Sequence, residues 1–84
     1  MVYDYNQTAL HLAANDGHSD VMKELLDCKA GVNARDNFGK TPLHIASLHG
    51  HPNAVIICLN YGTDVNLKDL SGKTAFEYTG ALRH

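Results

Sequence analysis

The sequence has no tryptophan, only two cysteines, no surplus of positive charge and no long apolar run. Each absence excludes something. A membrane-crossing helix needs roughly 18 to 20 apolar residues in a row, and nothing here approaches that, so membrane insertion is not expected. The opening MVYDYNQ also lacks the basic and then apolar layout of a signal peptide. Cys28 and Cys58 are too few for a disulfide framework, and neither sits in zinc-type CxxC spacing. Cys58 falls in an apolar helical pattern, as a small core residue would. Lysine and arginine number 7 against 9 acidic residues, a formal net charge of −2, with no basic run, which argues against nucleic acid as a partner. The expectation is a soluble intracellular chain, cytoplasmic or nuclear.

What is present is a period. Sliding the chain against itself by 33 residues places Thr8, Leu10, His11, Ala13, Gly17 and His18 on Thr41, Leu43, His44, Ala46, Gly50 and His51. Further on, Leu26 falls on Leu59, Val32 and Asn33 on Val65 and Asn66, and Asp36, Gly39, Lys40 and Thr41 on Asp69, Gly72, Lys73 and Thr74. A fixed period of this length marks stacked units, each of which needs neighbours to bury its apolar face. At 84 residues the core is thin, because a chain of this size buries only about 60% of the surface it exposes when unfolded.

The signals inside one unit follow from local chemistry. Thr41 followed by Pro42 starts a helix: the hydroxyl caps a free amide, and proline at the first helical position loses no donor. Leu43, Ile45, Ala46 and Ser47 continue a short helix with small side chains, and Gly50 ends it in the left-handed conformation. Pro52 opens a second helix with apolar Ala54, Val55, Cys58 and Leu59, closed by Gly62. The segment TDVNLKDLSGKT alternates around Val65 and turns near Ser71 and Gly72, which predicts an extended, hairpin-like finger between units.

The stretch GKTPLHIASLHGHPNAVIICLNYGTDVN resembles the ankyrin repeat, with its Gly-x-Thr-Pro-Leu-His turn, Gly-His break and Gly-Ala-Asp-Val-Asn finger. The resemblance covers nearly the whole chain as a single domain: one unit at about 3–35, a second at 36–68 and a partial third at 69–84. It implies an all-α fold, an ankyrin-repeat solenoid of helix-turn-helix units joined by β-hairpin-like fingers, about two and a half repeats long. It also implies that the histidine of TPLH ties its helix start to neighbouring backbone.

Several residues depart from the pattern. Asn6 stands in the place of Gly39 and Gly72, and asparagine tolerates a left-handed turn. Lys29 stands in the place of Gly62, and Gly31 in that of Asp64, so the first finger is expected to differ and Lys29 to be left-handed. In the third unit Glu77 replaces the histidine, and Thr74 with Glu77 reads as a capping box. Ile56 and Ile57 replace the charged pair Lys23 and Glu24 on the outer side of the second helix. They read either as partly covered by the third unit or as a self-association patch.

Of six histidines, His11, His18, His44 and His51 recur with the period and read as scaffold. His49 and His84 lack the further ligands a metal needs, so no metal and no cofactor are expected. Gly39-Lys40-Thr41 and Gly72-Lys73-Thr74 resemble the end of a phosphate loop, but Ala34 and Leu67 stand where its first glycine is required. Ser47 near His49 lacks the strand-turn-helix elbow of a nucleophile and matches Ala14 as a packing residue. No catalytic residue is assigned and enzyme activity is not expected.

Surface display remains. The resemblance implies docking through finger tips and the concave face of the first helices. At those positions stand Asp4, Tyr5 and Gln7; Asn37, Phe38 and Lys40; and Leu70, Ser71 and Lys73, with Asn15, Asp16, Leu48 and His49 as a helix-side row. Tyr5, Phe38, Leu48 and Leu70 would form an apolar column of interface anchors, or else fold down locally on their neighbours. The function read from this is a non-enzymatic scaffold that binds another protein. A second reading is a self-assembling homo-oligomer using Ile56, Ile57 and the incomplete third unit, and a third is a fragment of a longer array.

Overall fold

A computed structural model describes residues 8–81, with side chains through Tyr78. Asp4, Tyr5, Asn6, Gln7 and His84 lie outside the described residues. The order is α1 (Ala9–Asp16), α2 (Ser19–Asp27), α3 (Pro42–Leu48), α4 (Pro52–Asn60) and α5 (Ala75–Ala81). Helices of seven to nine residues are marginal alone, so packing must hold them. Each of the first two layers is a helix pair, α1 with α2 and α3 with α4. Between layers, α1, α3 and α5 pack in one row and α2 and α4 in a second.

The helix starts repeat atom for atom. Thr8 and Thr41 have extended backbones, and their hydroxyls accept the amides of His11 and His44. The imidazole Nδ1 returns the bond by accepting the threonine amide, at 3.1 Å in the first layer and 3.2 Å in the second. With Nδ1 accepting, the proton sits on Nε2. Nε2–H then donates to the carbonyl of Lys40 from His11 and of Lys73 from His44, at 2.8 and 2.9 Å. The expected tie to neighbouring backbone is therefore a bond to the next turn along the stack.

The helix ends repeat too. Gly17 (φ +71°) and Gly50 (φ +70°) turn left-handed after α1 and α3. Gly17 is also crowded: a Cβ there would come within 2.7 Å of the His51 ring, whose Nε2–H donates to the Asn15 carbonyl at 3.1 Å. After α2 and α4 the left-handed residues are Lys29 (φ +71°) and Gly62 (φ +78°), as the period predicts.

The connections between layers are tight turns, and among the described residues no strand forms. Asp36 N–H donates to the Lys40 carbonyl at 3.0 Å, while the Asp36 carboxylate accepts the amides of Phe38 and Lys40, both at 2.9 Å. Asp69 repeats this with Lys73 and Ser71. The carboxylate takes the amides that a partner strand would otherwise take. Successive turns stack, with Leu70 N–H donating to the Phe38 carbonyl at 2.9 Å. Gly39 lies between them: its φ is +74°, and a Cβ there would stand 3.0 Å from Leu70 N.

Two departures have visible results. Asp64 accepts the Asn66 amide at 2.9 Å, a bond that Gly31 has no side chain to make. In the third layer Glu77 reaches back to the Thr74 amide at 2.6 Å, the carboxylate half of the expected box. Asn33 links the first layer to the second by accepting from the Thr63 hydroxyl (3.1 Å) and the Asp64 amide (2.8 Å). The core runs through the stack from Leu10, Ala14 and Met22 to Leu43, Ala46, Ala54 and Cys58 and on to Ala75.

Candidate partner-binding surface

The Asp36 and Asp69 turns present Asn37, Phe38, Leu70 and Ser71 outward. Phe38 is 51% exposed and Leu70 is 77% exposed. Their backbones are bonded across the layer boundary, which sets two large apolar side chains on adjacent tips. Leu48 is exposed as well but closes α3, about 10 Å of helix away from the turn that precedes it. It stands with exposed Asn15, Asp16 and His49 at the far ends of α1 and α3. Leu48 thus stands with the helix-side row, apart from the tip pair of Phe38 and Leu70 with which it was expected to share an apolar column.

Lys40 belongs to neither group. Its Nζ is 3.0 Å from Asp69 Oδ2 and 5.4 Å from the Tyr78 ring centroid, so it ties the second turn to the third layer. The Tyr78 hydroxyl donates to the same carboxylate oxygen, and Lys73 Nζ lies 5.6 Å from the same ring. Burial disfavours the charged Asp69 carboxylate, but the Tyr78 hydroxyl, the Lys73 amide and the Lys40 ammonium outweigh it and hold the carboxyl well below its usual range. For Lys40, burial is likewise overcome by Asp69, and the ammonium is favoured. The hydrogen bond to Asp69, with burial, raises the Tyr78 phenol above its ordinary value. The period matched Asp69 to Asp36, but it gave no sign of Tyr78, whose matching positions are Ile45 and Leu12.

The remaining reactive groups are placed as follows. Burial pushes the Cys58 thiol up to about 11, which keeps it protonated at neutral pH, while Cys28 is exposed. The Ser47 hydroxyl is buried and has no hydrogen-bond partner, so no imidazole activates it. Among the described residues no group of three metal-ligating side chains comes together, and no helix is long and apolar enough to cross a membrane. Ile56 is exposed on α4, whereas Ile57 turns in and packs against the core.

In comparison with known proteins, residues 1–69 match the family model of ankyrin repeats (3 copies). The chain belongs to the ankyrin-repeat family. It is 56% identical over 32 residues to an ankyrin repeat protein of Rickettsia bellii (strain RML369-C), a match covering 38% of this chain and 13% of the relative. It is 54% identical over 33 residues to the tyrosine-protein kinase Shark of Drosophila melanogaster, covering 39% of this chain and 4% of the relative. The chain thus matches only a small part of the length of these relatives. Ankyrin repeats are in general protein-interaction modules without enzyme activity of their own.

Proposed function

We propose that this ankyrin-repeat chain is a non-enzymatic scaffold that binds another protein through its turn tips and the ends of its first helices. The observation that carries the reading is the pairing of Phe38 and Leu70 on adjacent, hydrogen-bonded tips. Large apolar side chains held on a rigid turn lose little freedom when a partner covers them, and such residues are the usual anchors of interfaces. Asn37, Ser71 and Lys73 supply a polar rim beside them, and Asn15, Asp16, Leu48 and His49 a second contact row. Asp4, Tyr5 and Gln7, outside the described residues, are included as contacts from the repeat register alone. The layers form a short solenoid with hairpin-like fingers, in units at about 3–35, 36–68 and 69–84. The balance of charge disfavours nucleic acid, and the place of action is intracellular, cytoplasmic or nuclear.

Affinity capture from cell extract tests this, comparing the parent with Phe38→Ala/Leu70→Ala. Loss of captured protein with an unchanged melting temperature supports the reading. An unchanged captured set, or parallel loss of binding and fold, overturns it. A second reading, self-assembly through the outer face, is favoured by exposed Ile56 beside exposed Leu59 on α4. Sedimentation of Ile56→Lys against the parent separates the two, since only self-assembly predicts a change in mass.

A further inference from the structure

Arg35 joins the two turns that carry Phe38 and Leu70. Its Nε–H donates to the Gly39 carbonyl at 3.3 Å, and its Nη2 donates to the Lys68 carbonyl, directly before the Asp69 turn. The guanidinium therefore lies across the same layer boundary as the bond from Leu70 N–H to the Phe38 carbonyl. Both of its acceptors are neutral, and the one ion pair among the described residues joins Lys40 to Asp69, so the Arg35 charge is not offset. We infer that Arg35 is the specificity-determining anchor for a carboxylate of the partner, an acidic protein segment with a large apolar side chain beside its aspartate or glutamate. This rests on the reading of the Phe38 and Leu70 tips as the binding surface.

The distribution of charge around the tips argues for such an occupant. Each turn carries two cations to one carboxylate: Arg35 and Lys40 with Asp36, then Lys68 and Lys73 with Asp69. Both carboxylates are buried and accept amides of their own turns, so they face inward. Arg35 and Lys68 are exposed. The flanking carboxylates of Asp64 and Glu77 are likewise taken by backbone amides, those of Asn66 and Thr74. The negative charge of the chain lies elsewhere: from Asp16 to Asp27, at the end of α1 and along α2, stand four carboxylates and one lysine. Charge is thus segregated, and a turn surface of positive sign attracts an acidic segment.

Geometry adds to attraction. A guanidinium already held by two carbonyls loses little freedom on meeting a carboxylate, and its planar fork keeps further N–H groups for a two-pronged contact. Apolar contacts at Phe38 and Leu70 would exclude water from the pair, which strengthens it. Nucleic acid fits less well, because the surplus of cations at the turns is too small for a run of phosphates.

The test is selection against the full chain from a random peptide library displayed on phage, followed by fluorescence polarisation of each selected peptide. Selected peptides should be enriched in aspartate or glutamate next to a leucine, isoleucine or phenylalanine. Arg35→Gln should weaken their binding by about tenfold and Arg35→Lys by less, with helical circular dichroism retained. Lys68→Gln, which breaks no bond of the turns, should weaken binding a few-fold and reduce its dependence on salt. Selection against Arg35→Glu should yield basic peptides instead, a reversal that a merely structural role would not produce. Neutral or basic peptides selected by the parent and lost on Phe38→Ala/Leu70→Ala would overturn the inference while leaving the tips as the binding surface. Acidic peptides that survive Phe38→Ala/Leu70→Ala would overturn both. Tighter binding of a phosphorylated peptide or a single-stranded oligonucleotide would assign the guanidinium to phosphate and overturn the carboxylate. A concentration-dependent mass in sedimentation that Arg35→Glu abolishes would place the acidic segment on a second copy, again against the inference. The absence of any enriched sequence also overturns it, and capture from extract still reads the tip surface independently.

Discussion

The Nε2–H of His44 donates to the carbonyl of Lys73 at 2.9 Å, so the helix start of the second layer is fastened to the turn that opens the third. The same ring accepts the Thr41 amide through Nδ1. Because the ring is buried, removing it leaves a donor and an acceptor without partners and opens a cavity.

His44→Ala should therefore destabilise by about 2 to 4 kcal/mol, a large share of the total for a domain of this size. Urea denaturation followed by circular dichroism measures it. A loss under about 1 kcal/mol would mean that water replaces both bonds without cost.

Lys29 carries a left-handed backbone, φ +71°, where the second layer has Gly62 at +78°. Lys29→Gly should stabilise by about 0.5 to 1 kcal/mol, relief of strain exceeding the added freedom of the unfolded chain. Lys29→Ala keeps the Cβ and should give no gain. A melting temperature unchanged or lowered by Lys29→Gly would count against strain at this site.

Ser47 buries a hydroxyl without a partner at the position where the first layer has fully buried Ala14. Ser47→Ala should raise stability by about 1 kcal/mol, since alanine fits the same space and has no polar group to desolvate. The urea midpoint checks this at an unchanged denaturant slope. A lowered midpoint would show that the hydroxyl is satisfied in solution.

The Asp69 network gives stability a pH dependence of definite sign. The folded carboxyl titrates below its ordinary value of 3.8, so its contribution is complete above that value and fades as pH falls below it. The folded Lys40 ammonium titrates above 10.5, so its contribution is complete below that pH and fades as pH rises past it. Tyr78→Phe removes one bond to the carboxylate. It should cost about 1 kcal/mol at neutral pH and make the acid limb of the stability curve shallower. An acid limb of unchanged slope would show that Tyr78 does not act on Asp69.

Much of the fold was legible because its determinants are local or periodic. Thr41, Pro42 and His44 make their cap within one turn of helix, and Lys29 was exposed as left-handed by its match to Gly62. Tyr78 was not legible, because its contact with Asp69 spans nine residues with no matching pair in the earlier layers. Lys40 was expected at the surface and is drawn inward by that same pair. Leu48 and Phe38 were expected in one apolar column, but the length of α3 separates them.

By itself, then, the sequence determined the layers, their caps and their order, because hydrogen bonds over three residues and left-handed turns depend only on neighbours along the chain. Only the tertiary structure decided which apolar positions are covered. Leu12 and Ile45 occupy matching positions on matching helices, and one is open while the other is closed. The difference is the layer packed against Ile45, since burial belongs to the neighbourhood of a side chain rather than to its type.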